Sequence, residues 1–207
     1  MAVRQIAKMG HPILRQIAEP IADPTSPDIA QLAEDMRETL AHIGASGIAA
    51  PQVFVSKRLV VYRMIAARIP AGSGIEPVDW TVLVNPEITP LTDETFPVWE
   101  RCLSIPGLHG KVPRYPRISL IYQTLSGESM QVDAHGTWAA LLQHECDHLD
   151  GRLYPSRMDD MSLLSFDDAP GALAEDAAGQ PDQVDPLFLD LVERWPNREQ
   201  WLSQAAD

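Results

Sequence analysis

Cysteines and long apolar runs are scarce in this chain of 207 residues. The two cysteines are Cys102 and Cys146, too few for a disulfide framework, and we expect free thiols or metal ligation instead. No apolar run approaches the roughly 20 residues that span a bilayer. The first 20 residues show no signal peptide. The sequence therefore predicts a protein without membrane association that is cytoplasmic, or organellar if the true start of the chain is missing.

Basic residues are also few. Lys and Arg total 16 against 29 Asp and Glu, for a net charge of −13, and residues 155–207 hold 12 acids with 3 arginines. Nucleic-acid binding depends on a basic surface that neutralises phosphates, so this composition argues against strong binding to DNA or RNA. We interpret the acidic ending as a solubilising segment.

Two segments have the apolar spacing of helices. Apolar residues recur every three or four positions over 27–43, and Gly44 suits the end of that helix. Residues 137–149 form the second predicted helix, with Thr137 as its cap. The first half of this helix is apolar all round, so we expect it to be buried.

The rest of the chain predicts strands and an irregular ending. Strands are expected at 57–66, at 81–85 with Pro86 as the stop, and in a hairpin formed by 117–123 and 129–134. Ala, Gly, Asp and Gln dominate 169–184, which favours flexibility, and 185–204 suit a terminal helix interrupted at Pro196.

The segment HECDH at 144–148 is an H-E-x-x-H motif. On a helix, His144 and His148 leave the same face one turn apart, a spacing that suits one metal ion. Glu145 points off that axis, so it can reach a water held by the ion instead of the ion itself. Two histidines leave a third ligand to be found, and Cys102 is the best candidate.

The alternative is that both histidines are ordinary core residues of a buried helix. We favour a metal site because Cys102 stands in a short polar segment between Glu100 and Ser104. Cys146 lies on the opposite side of the helix, and we interpret it as a small buried hydrophobe.

Three ordered segments resemble the motifs of the peptide deformylase family: GIAAPQ at 47–52, ERCLS at 100–104 and QHECDH at 143–148. The likeness also covers LVNPEI at 83–88 and VPR at 112–114, and it spans about residues 5–158. Members of this family remove the formyl group from the N-terminal methionine of new polypeptides. The resemblance implies an α+β fold in which antiparallel strands pack around a central helix that bears the H-E-x-x-H motif.

The resemblance also implies a role for each motif. One divalent metal is expected, Fe(II) in the first place, with Zn, Ni or Co able to occupy such a site, and its ligands would be Cys102, His144 and His148. Glu145 would act as the base and then as the acid. The Gln52 side-chain amide and the Leu103 backbone N–H would donate hydrogen bonds to the oxyanion.

The methionine side chain of such a substrate needs an apolar pocket near the metal. Thr137, Ala140 and Leu141 share the helix face of the ligand histidines, and with Ser46 they are the candidate walls, unless they serve only helix packing. Gly47 either closes a simple turn or lets a peptide approach the backbone.

Two positions depart from the family pattern. Arg101 stands where a glycine is usual, and it could block the substrate, bind a peptide carboxylate or turn into solvent. Ala45 replaces another usual glycine. The acidic ending does not suit docking on ribosomal RNA through a basic tail, so we expect at most transient ribosome contact. We divide the chain into a deformylase-like metallohydrolase domain, 1–158, and an acidic extension, 159–207.

Three alternatives stay open at this point. A zinc endopeptidase of the H-E-x-x-H type would use a third ligand other than Cys102. A non-catalytic relative would bind formylated or otherwise modified peptide N-termini, and Arg101 and Ala45 are its support. A structural metal site would leave no coordination position for water.

Overall fold

The computed structural model of the protein describes residues 2–169, 171–179, 181 and 184–196. Helices and antiparallel strands are mixed along the chain. The helices are α1 (Pro27–Ile43), α2 (Gly136–Leu149), α3 (Ala172–Gly179) and α4 (Pro186–Glu193). The strands are β1 (Gly47–Ala49), β2 (Leu59–Met64), β3 (Val78–Pro90), β4 (Phe96–Cys102), β5 (Ile105–Arg114), β6 (Arg117–Gln123), β7 (Ser129–His135) and β8 (Ser165–Phe166).

The strands form two antiparallel sheets. The larger sheet has five strands in the order β1-β2-β3-β6-β7, and the smaller has three in the order β4-β5-β8. The predicted hairpin is confirmed: β6 pairs with β7 from Arg117↔His135 to Gln123↔Ser129. Helix α2 contacts strands of both sheets, which places the H-E-x-x-H residues beside β4 and β5 as well as the larger sheet.

Helix α1 has the predicted bounds. It ends at Gly44, which takes φ 77 and donates its N–H to the Leu40 carbonyl at 2.8 Å, a left-handed ending that glycine adopts without steric cost. Its apolar face packs Met36 and Leu40 against Leu59 and Val61 of β2. Burying a side chain of this size contributes about 1.5–3 kcal/mol, so α1 is held by packing on the larger sheet.

The prediction that Pro86 stops its strand is wrong, because β3 continues to Pro90. The register of β3 against β6 shifts between Val84 and Glu87, and Asn85 takes φ 50 within this bulge. Proline lacks the N–H that a regular ladder needs, and a bulge is a place where that loss is tolerated. The Asn85 side chain bonds both the N–H and the carbonyl of Ile21, each at 2.9 Å.

Helix α2 begins one residue earlier than predicted, and the interpretation of Thr137 as its cap is wrong. The residue before the helix is His135, and Gly136 takes φ 57 where β7 turns into α2. Thr137 therefore lies inside the first turn, with its hydroxyl buried and without a partner among the described residues. The burial expected for this helix is confirmed, since Ala139, Leu142 and Leu149 are fully buried.

Part of the segment 169–184 is helical, although its composition favours flexibility. Alanine is the best helix former, and α3 buries Leu173 and Ala174 against Phe188 and Val192 of α4 and Trp99 of β4. Helix α4 falls within the predicted terminal helix, and the remainder of that prediction, from 197 onward, lies outside the described residues. In the part of the chain that is described, no helix combines the length and the apolar character needed to cross a bilayer.

Candidate active site

Cys102, His144 and His148 form a cluster of metal-binding side chains. Each offers one ligand atom, and these atoms lie within 4.8 Å of one another. Cys102 closes β4, and the two histidines stand one turn apart on α2 with ring centroids 5.0 Å apart. The Cys102 Sγ lies 3.4 Å from the His148 Nε2. The three residues predicted from different parts of the chain are thus brought to one place.

The orientation of His144 is set by Glu100 and Arg114. The His144 Nδ1 lies 2.7 Å from a Glu100 carboxylate oxygen, and since a carboxylate accepts, Nδ1 donates and Nε2 faces the cluster. The Glu100 carboxylate is paired in turn with Arg114 at 2.6 and 3.0 Å. Arg114 also pairs with Asp147 at 2.6 Å.

Electrostatics favour a thiolate in this cluster. Burial disfavours the charged form of Cys102, but His148 and His144 outweigh it and hold the pKa of the thiol well below its usual value. Burial likewise raises the pKa of Glu100, but Arg114 and His144 bring it down to about 2. One thiolate and two imidazoles are a donor set that suits a divalent transition metal with an open position, so these residues fit the expected ion.

Glu145 lies beside the cluster as a buried carboxylate. Its Oε2 has no hydrogen-bond partner among the described residues, and burial raises its pKa to about 7 against the opposing effect of His144 and His148. Gly47 lies directly over it, since a Cβ added there would stand 2.3 Å from the Glu145 Oε1. The glycine of the first motif therefore leaves the space that the carboxylate occupies.

Gln52 presents its amide nitrogen to the same place. It lies in a 3-10 turn after β1, where its Oε1 accepts the Ala49 N–H at 2.9 Å. This bond turns Nε2 toward Cys102 and Ser104, at 3.6 Å from the Sγ and 3.2 Å from the hydroxyl. A fixed amide donor thus stands beside the cluster.

These groups open into a cavity of about 540 Å³, a size suited to a short peptide or a drug-sized ligand. Eleven of the twelve residues predicted for the site line it: Ser46, Gly47, Gln52, Arg101, Cys102, Leu103, Thr137, Ala140, Leu141, His144 and Glu145. Cys146, by contrast, is a buried free thiol whose pKa is raised by burial. Its surroundings favour the inert role expected for it.

Other residues at this cavity carry no signal in the sequence. The guanidinium of the predicted residue Arg101 turns to one of them, Asp167, which follows β8. Arg68, Asp185, Leu187 and Phe188 also line the cavity, and the last three belong to the acidic extension. Arg101 and Asp167 are 66 residues apart in the chain, and Arg68 and Asp185 are 117 apart, so no local pattern indicates these contacts.

Comparisons with known proteins agree with this geometry. The sequence model of the polypeptide deformylase family matches residues 3–163. Peptide deformylase 1 of Nitrosomonas europaea is 39% identical over 166 residues, which cover 80% of this chain and 93% of that protein. Peptide deformylase 2 of Pseudomonas putida is 42% identical over 168 residues, covering 79% of this chain and 92% of its own length.

Solved structures give the same result. The Met-Ala-Ser-bound class I type b peptide deformylase of Acinetobacter baumannii superposes with a TM-score of 0.68 at 36% identity, over 76% of this chain and all of that chain. The peptide deformylase of Thermotoga maritima superposes with a TM-score of 0.67 at 33% identity, over 77% of this chain and all of that chain. This chain therefore belongs to the polypeptide deformylase family.

Proposed function

We propose that this protein hydrolyses the N-formyl group of N-formylmethionyl peptides, as they arise on new polypeptides, and releases formate. The observation that carries the proposal is the buried Glu145 carboxylate, whose Oε2 has no partner among the described residues, beside the Cys102, His144 and His148 cluster in a peptide-sized cavity. Relatives named peptide deformylase support it. So does the Acinetobacter structure, whose Met-Ala-Ser ligand has the form of a deformylated product.

Cys102, His144 and His148 would hold one divalent metal, with Fe(II) as the first expectation and Zn, Ni or Co as ions that the same donors accept. Such an ion, when bound, lowers the pKa of a water and polarises a carbonyl. Glu100 fixes the His144 ring through the bond to Nδ1. A carboxylate that binds the second ring nitrogen of a ligand histidine keeps the ring oriented and makes it a stronger donor to the metal.

Glu145 would serve as the proton carrier. Its carboxylate takes the proton of the attacking water and passes it to the amine that leaves when the C–N bond breaks. A pKa near 7, raised by burial, suits both halves of that transfer at neutral pH. Its position under Gly47, where no Cβ intervenes, keeps the carboxylate facing the cavity.

Gln52 and Leu103 would stabilise the oxyanion of the tetrahedral intermediate. The Gln52 Nε2 already points into the site because Ala49 holds the amide oxygen, so little reorganisation is needed. The Leu103 backbone N–H follows the cysteine ligand directly. Removing one donor of this kind typically costs roughly 3–4 kcal/mol of barrier.

The methionine side chain would lie against Thr137, Ala140 and Leu141, which face the cavity from α2. Ser46 and Gly47 form the opposite rim, where the small residues let the peptide backbone approach. Arg101 is not free to obstruct the methionine, because its guanidinium is paired with Asp167. We therefore assign it to the outer part of the peptide site.

We further propose that residues 1–158 are the catalytic domain, with α2 as the helix around which its strands pack, and that 159–207 are an added acidic extension. The end of the family match at 163 supports this division. The net charge of −13 supports at most transient ribosome contact and no direct binding of nucleic acid. The cytoplasm is the proposed location, because that is where formylated chains are made.

The alternatives are less well supported. A zinc endopeptidase would have a third ligand other than Cys102. The Cys102 Sγ, however, lies within 4.8 Å of a ring nitrogen of each of the two histidines, close enough for all three to hold one ion. A non-catalytic binder would not need a buried carboxylate with a free oxygen. A closed structural site would not open into a cavity.

The test is formate release from formyl-Met-Ala by the Fe(II)- or Ni(II)-loaded protein under anaerobic conditions. We expect stoichiometric formate and Met-Ala, with the Met-Ala peptide bond intact. An endopeptidase would instead yield free alanine. Affinity for formyl-Met-Ala without any turnover would favour the non-catalytic binder.

A further inference from the structure

The acidic extension reaches the candidate active site at α4. Leu187 and Phe188 line the cavity that also holds Glu145 and Cys102. Phe188 is 2% exposed and packs with Trp99 of β4. Because this contact anchors α4 on the smaller sheet, the partly exposed Leu187 is left as an apolar wall of the cavity.

Asp185 ties this wall to the loop that carries the first motif. One carboxylate oxygen accepts the Leu187 N–H at 2.8 Å and so caps α4. The other pairs with Arg68 at 3.2 Å, and Arg68 donates to the Ser46 hydroxyl at 2.7 Å. Ser46 precedes Gly47, the residue over the Glu145 carboxylate. The extension is therefore joined through Arg68 to the loop residue that precedes Gly47.

Asp167 makes a similar contact with the second arginine of the cavity. It pairs with Arg101, the residue before Cys102, and its second oxygen lies 3.2 Å from the Nδ1 of the buried His109. Arg68 and Arg101, the arginines among the described lining residues, are thus each paired with a carboxylate of the extension. Lys8 also lines the cavity and donates to the Leu103 carbonyl at 2.9 Å. The surface that the extension adds at Leu187 and Phe188 is apolar.

The residues of this wall lie beyond the part of the chain that the family model matches. That match ends at 163, and Asp167, Asp185, Leu187 and Phe188 all follow it. The Nitrosomonas relative covers 80% of this chain. The family match therefore does not account for a wall built from these residues.

From this placement we infer that the extension forms part of the substrate site and selects peptides with an uncharged, apolar side chain at the first or second residue after the methionine. The inference rests on the proposed deformylation and specifies its substrates. Leu187 is the specificity-determining residue, and Asp185 and Asp167 are positioning residues that keep Arg68 and Arg101 from attracting acidic peptides.

Peptide pairs and a charge-introducing variant test this directly. The metal-loaded, full-length protein is assayed with formyl-Met-Leu-Ser against formyl-Met-Glu-Ser, and with formyl-Met-Ser-Leu against formyl-Met-Ser-Glu. We expect kcat/KM to favour leucine about tenfold or more at one of the two positions, the scale of discrimination by an apolar contact. Leu187→Lys should lower that ratio at least about tenfold, partly by a gain on the glutamate peptide.

Matched variants distinguish the contact at Leu187 from the effects of added charge and of altered packing elsewhere on α4. Glu193→Lys adds more positive charge at the exposed end of α4, and it should leave the ratio within about twofold because added charge is screened there. Leu187→Ala should lower kcat/KM for the leucine peptide about tenfold and leave kcat/KM for the glutamate peptide unchanged. Leu189 lies on the same helix but packs against the α3–α4 cluster, so Leu189→Ala should change kcat/KM for neither peptide.

A binding measurement keeps this inference distinct from the proposed function. Dissociation constants for Met-Leu-Ser, Met-Glu-Ser, Met-Ser-Leu and Met-Ser-Glu are measured by titration calorimetry on the Ni(II)-loaded wild type and Leu187→Lys. If no peptide yields formate, deformylation is wrong, yet a ratio of dissociation constants that shifts with Leu187→Lys still supports the wall. Equal affinities in both proteins, or the same shift with Glu193→Lys, would overturn it.

Discussion

Burial governs the chemistry of Glu145. Its carboxylate is buried, its Oε2 has no hydrogen-bond partner among the residues that the structure describes, and desolvation raises its pKa to about 7. A buried acid of this kind is costly to the fold, so its presence points to a function. The absence of a Cβ at Gly47 is what lets this carboxylate fit, so the two residues form one functional unit.

Gly47→Ala tests that unit. The added methyl group would stand 2.3 Å from the Glu145 Oε1 and 2.7 Å from its Cδ, so the carboxylate must move. A displacement of about 1 Å at a catalytic group costs roughly 100-fold in rate. We expect kcat to fall by that factor while the metal content stays unchanged. Steady-state kinetics and elemental analysis measure both.

Gly179→Ala is the control, because no atom of the described residues lies within 4 Å of the Cβ it would add. It should retain wild-type turnover. Equal activity in Gly47→Ala would show that Glu145 does not depend on the space over the glycine.

Cys102 and Cys146 offer a comparison of the two thiols. Cys102→Ala removes one of the three clustered donors, and we expect metal affinity to fall by roughly 100-fold or more. Even the loss of a residue that only hydrogen-bonds to a ligand lowers metal affinity roughly 10–100-fold. Cys146→Ala removes an equally buried thiol and should retain the metal. Competition with a chelator measures both affinities, and a tight site in Cys102→Ala would favour the endopeptidase arrangement.

Several elements meet at one buried ion-pair network. Arg114 at the end of β5 joins Glu100 of β4 and Asp147 of α2, and Arg157 pairs with the same Asp147. Glu100 is also the partner of His144. The network therefore fixes the smaller sheet to the helix and the ligand histidine to both.

Arg114→Met tests the importance of this network for stability. The change leaves two buried carboxylates without their shared cation, and breaking a buried pair in this way costs about 3–5 kcal/mol. Urea unfolding should show that loss, together with weaker metal binding. Arg37→Met removes a cation from a helix-surface pair with Glu34 and should leave the midpoint near that of the wild type.

The pH dependence of stability should carry the signature of Glu100. Its pKa is about 2 in the folded protein against an ordinary 4.5, so the folded state favours the carboxylate. This stabilisation is fully present above about pH 4.5 and is lost as pH falls toward 2. The free-energy difference between metal-free wild type and Glu100→Gln should shrink over that window, and a difference constant with pH would contradict the assignment.

The sequence predicted those helices and strands that are specified by the spacing of neighbouring residues. The spacing of apolar residues gave α1, and the two strand segments gave the β6–β7 hairpin. The prediction that Pro86 ends its strand was wrong because a strand can continue past a proline where it bulges. The bonds from Asn85 to Ile21 that hold this bulge span 64 residues. The helix α3 was not predicted because it is held by contacts with Trp99 and with α4, which the local composition of 169–184 does not reveal.

The whole molecule combines a family domain with an extension that touches its cavity. The motifs predicted the metal-binding cluster and Glu145 because each motif is short and the ligand spacing is set by one helix turn. Arg114, Asp185 and Leu187 could not be predicted, since their roles come from contacts between distant segments. The acidic character of the ending supplies the carboxylates that pair with Arg68 and Arg101, beyond any contribution to solubility.

Glu145→Gln is the decisive variant for the proposed deformylation, when formate release and metal content are measured on the same preparation. We expect turnover of formyl-Met-Ala to fall by about 10²–10⁴-fold, the usual contribution of a general base. One divalent metal per chain should stay bound by Cys102, His144 and His148. Normal hydrolysis by this variant, or loss of its metal, would show that Glu145 is not the base of a metal-dependent reaction.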